Sequence, residues 1–129
     1  MTFNKTVFFA AILLVSAVYA QTDLSIFQVT INDMKLARQL AKELLENKLA
    51  VNINLVGNEK SQITSFYNWD GVIERDNEIL LIIKSKSSLK EKIEKVVSKI
   101  HTYDTPEIVQ IPIVGANQAF IDFVNAKLA

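Results

Sequence analysis

His101 is the chain's one imidazole, and no cysteine accompanies it anywhere in the 129 residues. General-base chemistry would therefore have to run through that single ring or through carboxylates. Thiol catalysis and thiolate metal sites are excluded outright. A serine nucleophile held on a strained elbow needs glycines on either side of it. The three glycines present form neither such an elbow nor a phosphate-cradling loop. Asp76 and Glu78 place two carboxylates two residues apart, but the surrounding residues read as a polar turn without the apolar pocket that would raise a carboxyl pKa. The residue types thus point away from an enzyme.

Aromatic and charged clusters offer binding rather than catalysis. Tyr67 and Trp69 could stack a ligand, but such a pair more often supplies the contact energy of a core or an interface. They stand beside Asp70-Gly71, a dipeptide suited to a tight hairpin turn. Lys90, Lys92, Lys95 and Lys99 alternate with Glu91 and Glu94, the pattern of a solvated helix face and not of an anion site. His101 falls at the end of that helix, where a cationic ring would favour the helix dipole. Tyr103 is expected to be half-buried with its hydroxyl bonded, and Pro106 to set the start of a strand where its missing N–H is tolerated.

These residues must be positioned by one domain, since the length allows no second. Half the residues are hydrophobic, enough to bury a core, and 14 basic residues balance 14 acidic ones. That balance excludes the basic footprint of a nucleic-acid binder. The first twenty residues differ from the rest. Lys5 precedes an unbroken apolar run from Val7 to Val15, and Val18-Tyr19-Ala20 ends it in the small-residue manner of a cleavage site. The run is far shorter than the roughly twenty residues that span a bilayer. Residues 1–20 are expected to be a signal peptide, and residues 21–129 the mature domain of the secretory pathway or extracellular space, with no stable membrane span. The alternative is an uncleaved leader that anchors the protein to a membrane.

Along the mature chain, Phe27, Val29 and Ile31 alternate with polar residues as a strand with one buried face should. Asn32-Asp33 offers a helix cap, and Ala37, Leu40, Ala41, Leu44 and Leu45 form the stripe of an amphipathic helix over 34–47. Strands are expected over 49–56, 63–69 and 72–84, the last interrupted at Asp76-Asn77. Ser88-Leu89-Lys90-Glu91 has the capping-box pattern and opens a second helix carrying Leu89, Ile93, Val96, Val97 and Ile100. A strand over 108–113 and a helix from near Asn117, burying Phe120, Ile121, Val124 and Leu128, complete the chain. The order implies an α+β, ferredoxin-like β-α-β-β-α-β sandwich with an added hairpin and a C-terminal helix. Two helices cover only one sheet face, and the aromatic hairpin has no place in a four-stranded core. Self-association through that arm is the expected remedy.

Several stretches, taken in order, resemble the CutA family of divalent-cation tolerance proteins. Ala37 to Ala41 followed by Leu49-Ala50-Val51-Asn52-Ile53 is similar to the family's helix-to-strand run with its alanine-cysteine-valine-asparagine patch. Ser65 to Glu74 resembles the S-x-Y-x-W-x-G-x-[IV]-E signature, and Glu78 to Ser85 the E-x-x-L-x-[IL]-K-T strand. His101 to Ile108 resembles H-P-Y-[ED]-x-P-E-[IV], with Thr102 where proline is usual. The likeness spans the whole mature chain.

The resemblance implies a homotrimer whose strands pair across subunits; by residue type, Tyr67, Trp69, Gly71, Tyr103 and Pro106 are expected to serve interface and structure. It also implies a link to divalent-metal tolerance, copper above all, with a cysteine, the motif histidine and the motif glutamate as ligands. Here these correspond to Val29, His101 and Glu107, so the thiolate is missing. Copper(I) wants soft sulfur ligands, and Met34 alone offers one after the leader. Copper(II) accepts imidazole and carboxylate, which leaves His101 and Glu107 as candidates for a weak divalent-cation contact, with no cofactor required. In animals the family is linked to the processing or membrane anchoring of acetylcholinesterase, which implies an alternative role as a secretory-pathway interaction scaffold.

Overall fold

The computed structural model describes residues 22–128; the leader expected over 1–20 lies outside the described residues. Strand β1 (Leu24–Ile31) leads into helix α1 (Met34–Glu46), then β2 (Asn52–Val56), β3 (Ile63–Trp69) and β4 (Val72–Lys86). A single 3₁₀ turn, Ser87–Leu89, precedes α2 (Lys90–Ile100), and β5 (Ile108–Pro112) and α3 (Gln118–Lys127) close the chain. The four main strands lie in the order β2-β4-β1-β5, each antiparallel to its neighbour. β1 and β2 therefore run parallel with β4 between them, and β4 and β5 run parallel with β1 between them. That is the split βαβ arrangement of a ferredoxin-like fold.

The helices form where capping and periodicity agree. Asp33 caps α1, its Oδ1 accepting the Leu36 N–H at 3.0 Å. Ala37, Leu40 and Leu44 are buried, while Leu45, expected on the same stripe, is exposed because it falls at the stripe's margin. The capping box expected at Ser88 does not form, and no side chain caps α2. The chain tightens into the 3₁₀ turn instead, and Ser87 Oγ bonds Ser25 Oγ at 2.7 Å. Ile93, Val97 and Ile100 of α2 join Phe27, Val29, Ile31, Ile79, Leu81 and Ile83 of the sheet in one core, with Val124 and Leu128 added by α3 and its C-terminal cap.

β4 departs from expectation in the way that matters most. Asp76-Asn77 does not interrupt it; the strand runs unbroken for 15 residues. Its second half pairs with β1 and β2 inside the sheet, and its first half pairs only with β3, from Ile63↔Glu78 to Trp69↔Val72. The added hairpin is thus an extension of a central strand that runs on past the helices. Its two-residue turn puts Asp70 at φ 50° and Gly71 at φ 84°, and Asn68 Oδ1 accepts the Gly71 N–H at 2.9 Å. Left-handed backbone at both positions matches the strands' twist and makes glycine the favoured second residue. β2 starts at Asn52, later than expected, because Leu49 and Ala50 are buried in the turn that links α1 to the sheet. Among the described residues no helix is long and apolar enough to cross a membrane.

Candidate functional site

Alternation along β4 separates two faces. Ile79, Leu81, Ile83 and Ser85 are buried under the helices. Leu80, Ile82 and Lys84 point the other way, beside Ile26, Gln28 and Thr30 of β1, Asn52, Asn54 and Val56 of β2, and Val109 and Ile111 of β5. No helix of the βαβ units covers this second face, and its side chains are half-buried or exposed. It continues onto the arm, where Val72, Glu74, Asp76 and Glu78 share it with Ile63, Ser65, Tyr67 and Trp69.

On the arm, two tyrosines meet this carboxylate ladder. Tyr67 donates its hydroxyl proton to Asp76 Oδ2 at 2.7 Å, a bond that helps to push its pKa up to about 12. Tyr103, arriving from the segment after α2, donates to Glu78 Oε2 at 3.0 Å. Burial, then that bond to a carboxylate, holds the Tyr103 phenol well above its ordinary value. Glu78 is only 6 % exposed. It lies within a strand and is covered by a phenol, which corrects the expectation of Asp76 and Glu78 in a polar turn.

His101 is 8 % exposed at the C-cap of α2. Its Nε2 lies 2.7 Å from the Thr30 carbonyl oxygen, and its Nδ1 accepts the Tyr103 N–H at 3.2 Å. Since a carbonyl can only accept, Nε2 is the protonated nitrogen. The ring is held between these two backbone groups at the end of α2. Its edge meets the Tyr103 ring, centroids 4.4 Å apart. The imidazole thus ties the end of α2 to β1 and orients the tyrosine that covers Glu78.

Each residue expected around a metal has its own surroundings in the chain. Val29 is fully buried on the helix-facing side of β1, opposite Leu81 and Ile108. Glu107 is exposed and enters none of the ion pairs among the described residues. Both nitrogens of His101 are engaged. Among the described residues no three His, Cys, Asp or Glu side chains form a cluster that could hold a metal ion. These donors do not fit a preformed cation site.

The aromatic arm stays open to solvent. Trp69 is 63 % exposed, and Phe66 and Ile73, on the arm's opposite face, are each 69 % exposed. Tyr67, Val72, Val109 and Ile111 are exposed as well. Pro106 is half-buried two residues before β5. The lysine face of α2 is solvated, with Lys90 paired to Glu94 at 2.9 Å and Lys99 to Glu43 at 3.8 Å. One further polar group, on the uncovered sheet face, is absent from the sequence expectations. Lys84 Nζ donates there to Asn52 Oδ1 at 2.8 Å and to Asn54 Oδ1 at 2.5 Å. The alternation of Glu74, Asp76 and Glu78, and of Asn52 and Asn54, was the available signal for both the carboxylate ladder and this lysine.

Comparison with known proteins places this geometry. The family model described as CutA1 divalent ion tolerance protein matches residues 25–127. Protein CutA of Mus musculus is 34 % identical over 107 residues, 83 % of this chain and 58 % of the mouse protein. The chain therefore spans little more than half the length of that relative. The divalent-cation tolerance protein CutA of Thermus thermophilus is 34 % identical over 97 residues, 75 % of this chain and 90 % of that one. The solved structure of the divalent cation tolerance protein Cut A1 from Thermus thermophilus superposes with a TM-score of 0.77 at 31 % identity, covering 82 % of this chain and 99 % of that one.

Proposed function

The chain belongs to the CutA1 family of divalent ion tolerance proteins, and from that premise we propose that it acts without catalysis, as a self-associating trimer in the response to divalent metal ions. The observation that carries this reading is the apolar and aromatic surface left open on the arm and the uncovered sheet face, Trp69, Phe66, Val72, Ile73, Val109 and Ile111. A β-surface of this kind is normally covered by another chain. In this reading Tyr67 and Trp69 are contact residues, Gly71 shapes the arm's turn, and Tyr103 and Pro106 hold the segment beside Glu78.

Engagement of a divalent cation is weak and is made by the assembled protein. His101 reaches a metal only by surrendering the Tyr103 N–H at Nδ1, a hydrogen bond worth about 1 kcal/mol net. Glu107 would add a hard oxygen donor, and the pair suits copper(II) or zinc(II) better than copper(I). The leader over 1–20 directs the chain to the secretory pathway and is removed after Ala20. A scaffold that assists processing or anchoring of a partner enzyme is the competing reading.

Sedimentation velocity of the purified protein, with isothermal titration of copper(II) and zinc(II), tests the proposal. A trimer with a saturable heat at micromolar or weaker affinity, diminished in His101→Ala, is expected. A monodisperse monomer would end the self-association reading, and identical titrations of wild type and His101→Ala would end the assignment of the ligands. N-terminal sequencing of secreted material should begin at Gln21; an intact Met1 on membrane-extracted protein would identify an anchor. A partner enzyme retained from a secretory lysate, with no metal heat, would favour the scaffold.

A further inference from the structure

The balance of charge over the whole chain conceals a division in space. Helix α1 and the turn after it carry Lys35, Arg38, Lys42 and Lys48 against Glu43 and Glu46, and α2 carries four lysines against Glu91 and Glu94. The helix layer therefore holds eight cations to four carboxylates. The remaining described residues hold five cations and ten carboxylates. Composition shows nothing of this, because the two parts cancel. The alternation of lysine with glutamate reads as a solvated face only while α2 is taken alone.

The tertiary structure sets two rows of cations side by side. Lys35, Arg38 and Lys42 on α1, and Lys92, Lys95 and Lys99 on α2, each recur at i, i+3 and i+7, so each row runs about 10 Å along its helix. All six are exposed. The contact of Lys99 with Glu43 at 3.8 Å places the rows on adjacent helices, whose axes pack about 8–10 Å apart. Glu59 takes Arg38 at 2.7 Å, and Glu46 and Glu94 take Lys42 and Lys90. Lys35, Lys48, Lys92 and Lys95 enter none of the ion pairs among the described residues. The layer lies on the opposite side of the sheet from its uncovered face, so a contact here leaves that face untouched.

We propose that this helix layer is a docking surface for a linear sulfated polysaccharide. Charge complementarity requires an anionic partner. A lipid surface fits less well, because interfacial helices bind by burying apolar side chains, and Leu45 is the one large hydrophobic side chain exposed on α1 or α2. Nucleic acid also fits less well, since neither helix carries an aromatic residue on which a base could stack. Flexible lysine heads on a flat pair of helices suit closely spaced sulfates, which ask for point charges and not for a fixed fork of donors. The choice of an extracellular polyanion rests on the secretory reading of residues 1–20.

Heparin-affinity binding of the purified protein tests this, with circular dichroism confirming the fold of each variant. A chain with no formal net charge has no general reason to be retained. Wild type should nonetheless bind at about 50 mM salt and elute as the salt rises. Lys92→Gln with Lys95→Gln should weaken binding about twentyfold, roughly fivefold for each cation removed. Lys86→Gln with Lys127→Gln removes as much charge away from the layer and should stay within about twofold of wild type. Should the α2 pair unfold the chain, Lys35→Gln on α1 carries the same comparison with about a fivefold loss. Wild type that flows through, or variants on and off the layer weakened alike, would overturn the docking. So would equal binding to desulfated heparin, or tighter binding to double-stranded DNA or to phosphatidylserine vesicles. Retention is read on purified protein whatever becomes of the leader, so a failed secretory reading, seen as an intact Met1, is told apart from a failed docking face.

Discussion

The two faces of β4 are made from one strand and obey different rules. On the helix-covered side, Ile79, Leu81 and Ile83 are fully buried among side chains of β1, α1 and α2. Every large side chain there is covered by the chain itself. On the other side, Leu80, Ile82 and Lys84 lie half open, and the strand runs on into an arm whose Trp69 and Val72 face solvent. Polar groups follow the same division. Ser85, on the covered side, is buried and donates to the Leu49 carbonyl at 2.5 Å, whereas Lys84 on the open side pairs with no carboxylate among the described residues. The covered face stores the stability of the subunit, and in the reading proposed above the open face carries its contacts with neighbours.

Substitutions on the two faces should therefore fail in different assays. Phe27→Ala, at a fully buried position on the covered side, should cost about 3–5 kcal/mol in denaturant unfolding, the range for deleting a core phenyl ring. A midpoint unchanged from wild type would contradict the burial. Trp69→Ala should leave the fold of the subunit within about 0.5 kcal/mol. It should weaken assembly by about 2–4 kcal/mol, as removal of a central aromatic anchor does. A trimer of unaltered affinity in sedimentation would erase the distinction between the faces. His101→Ala sits where the faces meet, since it strips a partner from both the Thr30 carbonyl and the Tyr103 N–H. It should cost about 1–3 kcal/mol, with hydrogen exchange quickening at the end of α2 first.

Two smaller effects sharpen the comparison on the arm. Gly71→Ala meets no atom within 4 Å of the added methyl group, so only the left-handed backbone opposes it. About 1–2 kcal/mol is expected, read as a lowered melting temperature. The tyrosines should titrate late in the ultraviolet spectrum. Tyr67 is pushed up to about 12 by its bond to Asp76, and Tyr103 is raised by burial and by Glu78. A phenol whose pKa is raised in the folded protein holds its proton longer than the unfolded chain does. Its contribution to stability is therefore complete below the ordinary tyrosine pKa near 10 and is lost as pH climbs above that value. Asp76→Asn should bring one titration midpoint down toward the ordinary value; an unmoved curve would deny the bond.

Much of the fold was legible in the sequence, because periodicity is a local property. The alternation of Phe27, Val29 and Ile31, the Asp33 cap, the α2 stripe from Leu89 to Ile100 and the Asp70-Gly71 turn all stand where pattern put them. The break expected at Asp76-Asn77 is absent because strand polarity there reflects solvent on both sides of the arm, not a turn. The cap expected at Ser88 yielded to a 3₁₀ turn, since Ser87 found a partner in Ser25. The candidate site was less legible. Residue type singled out His101, Tyr103 and Tyr67, and spacing the pair Asp76 and Glu78, but not which phenol bonds which carboxylate.

The amino-acid order alone determined the elements, the direction each faces, the lack of thiol chemistry and an aromatic hairpin too greasy to stand by itself. Only the tertiary structure decided that Glu78 is covered by Tyr103, that His101 is held by Thr30, and that Lys84 is caged by two asparagines. Those contacts join residues 25, 71 and about 30 positions apart. Which side chains meet across such distances is set by strand register and by the path of the loops, and a local repeat of two or 3.6 residues carries no record of either.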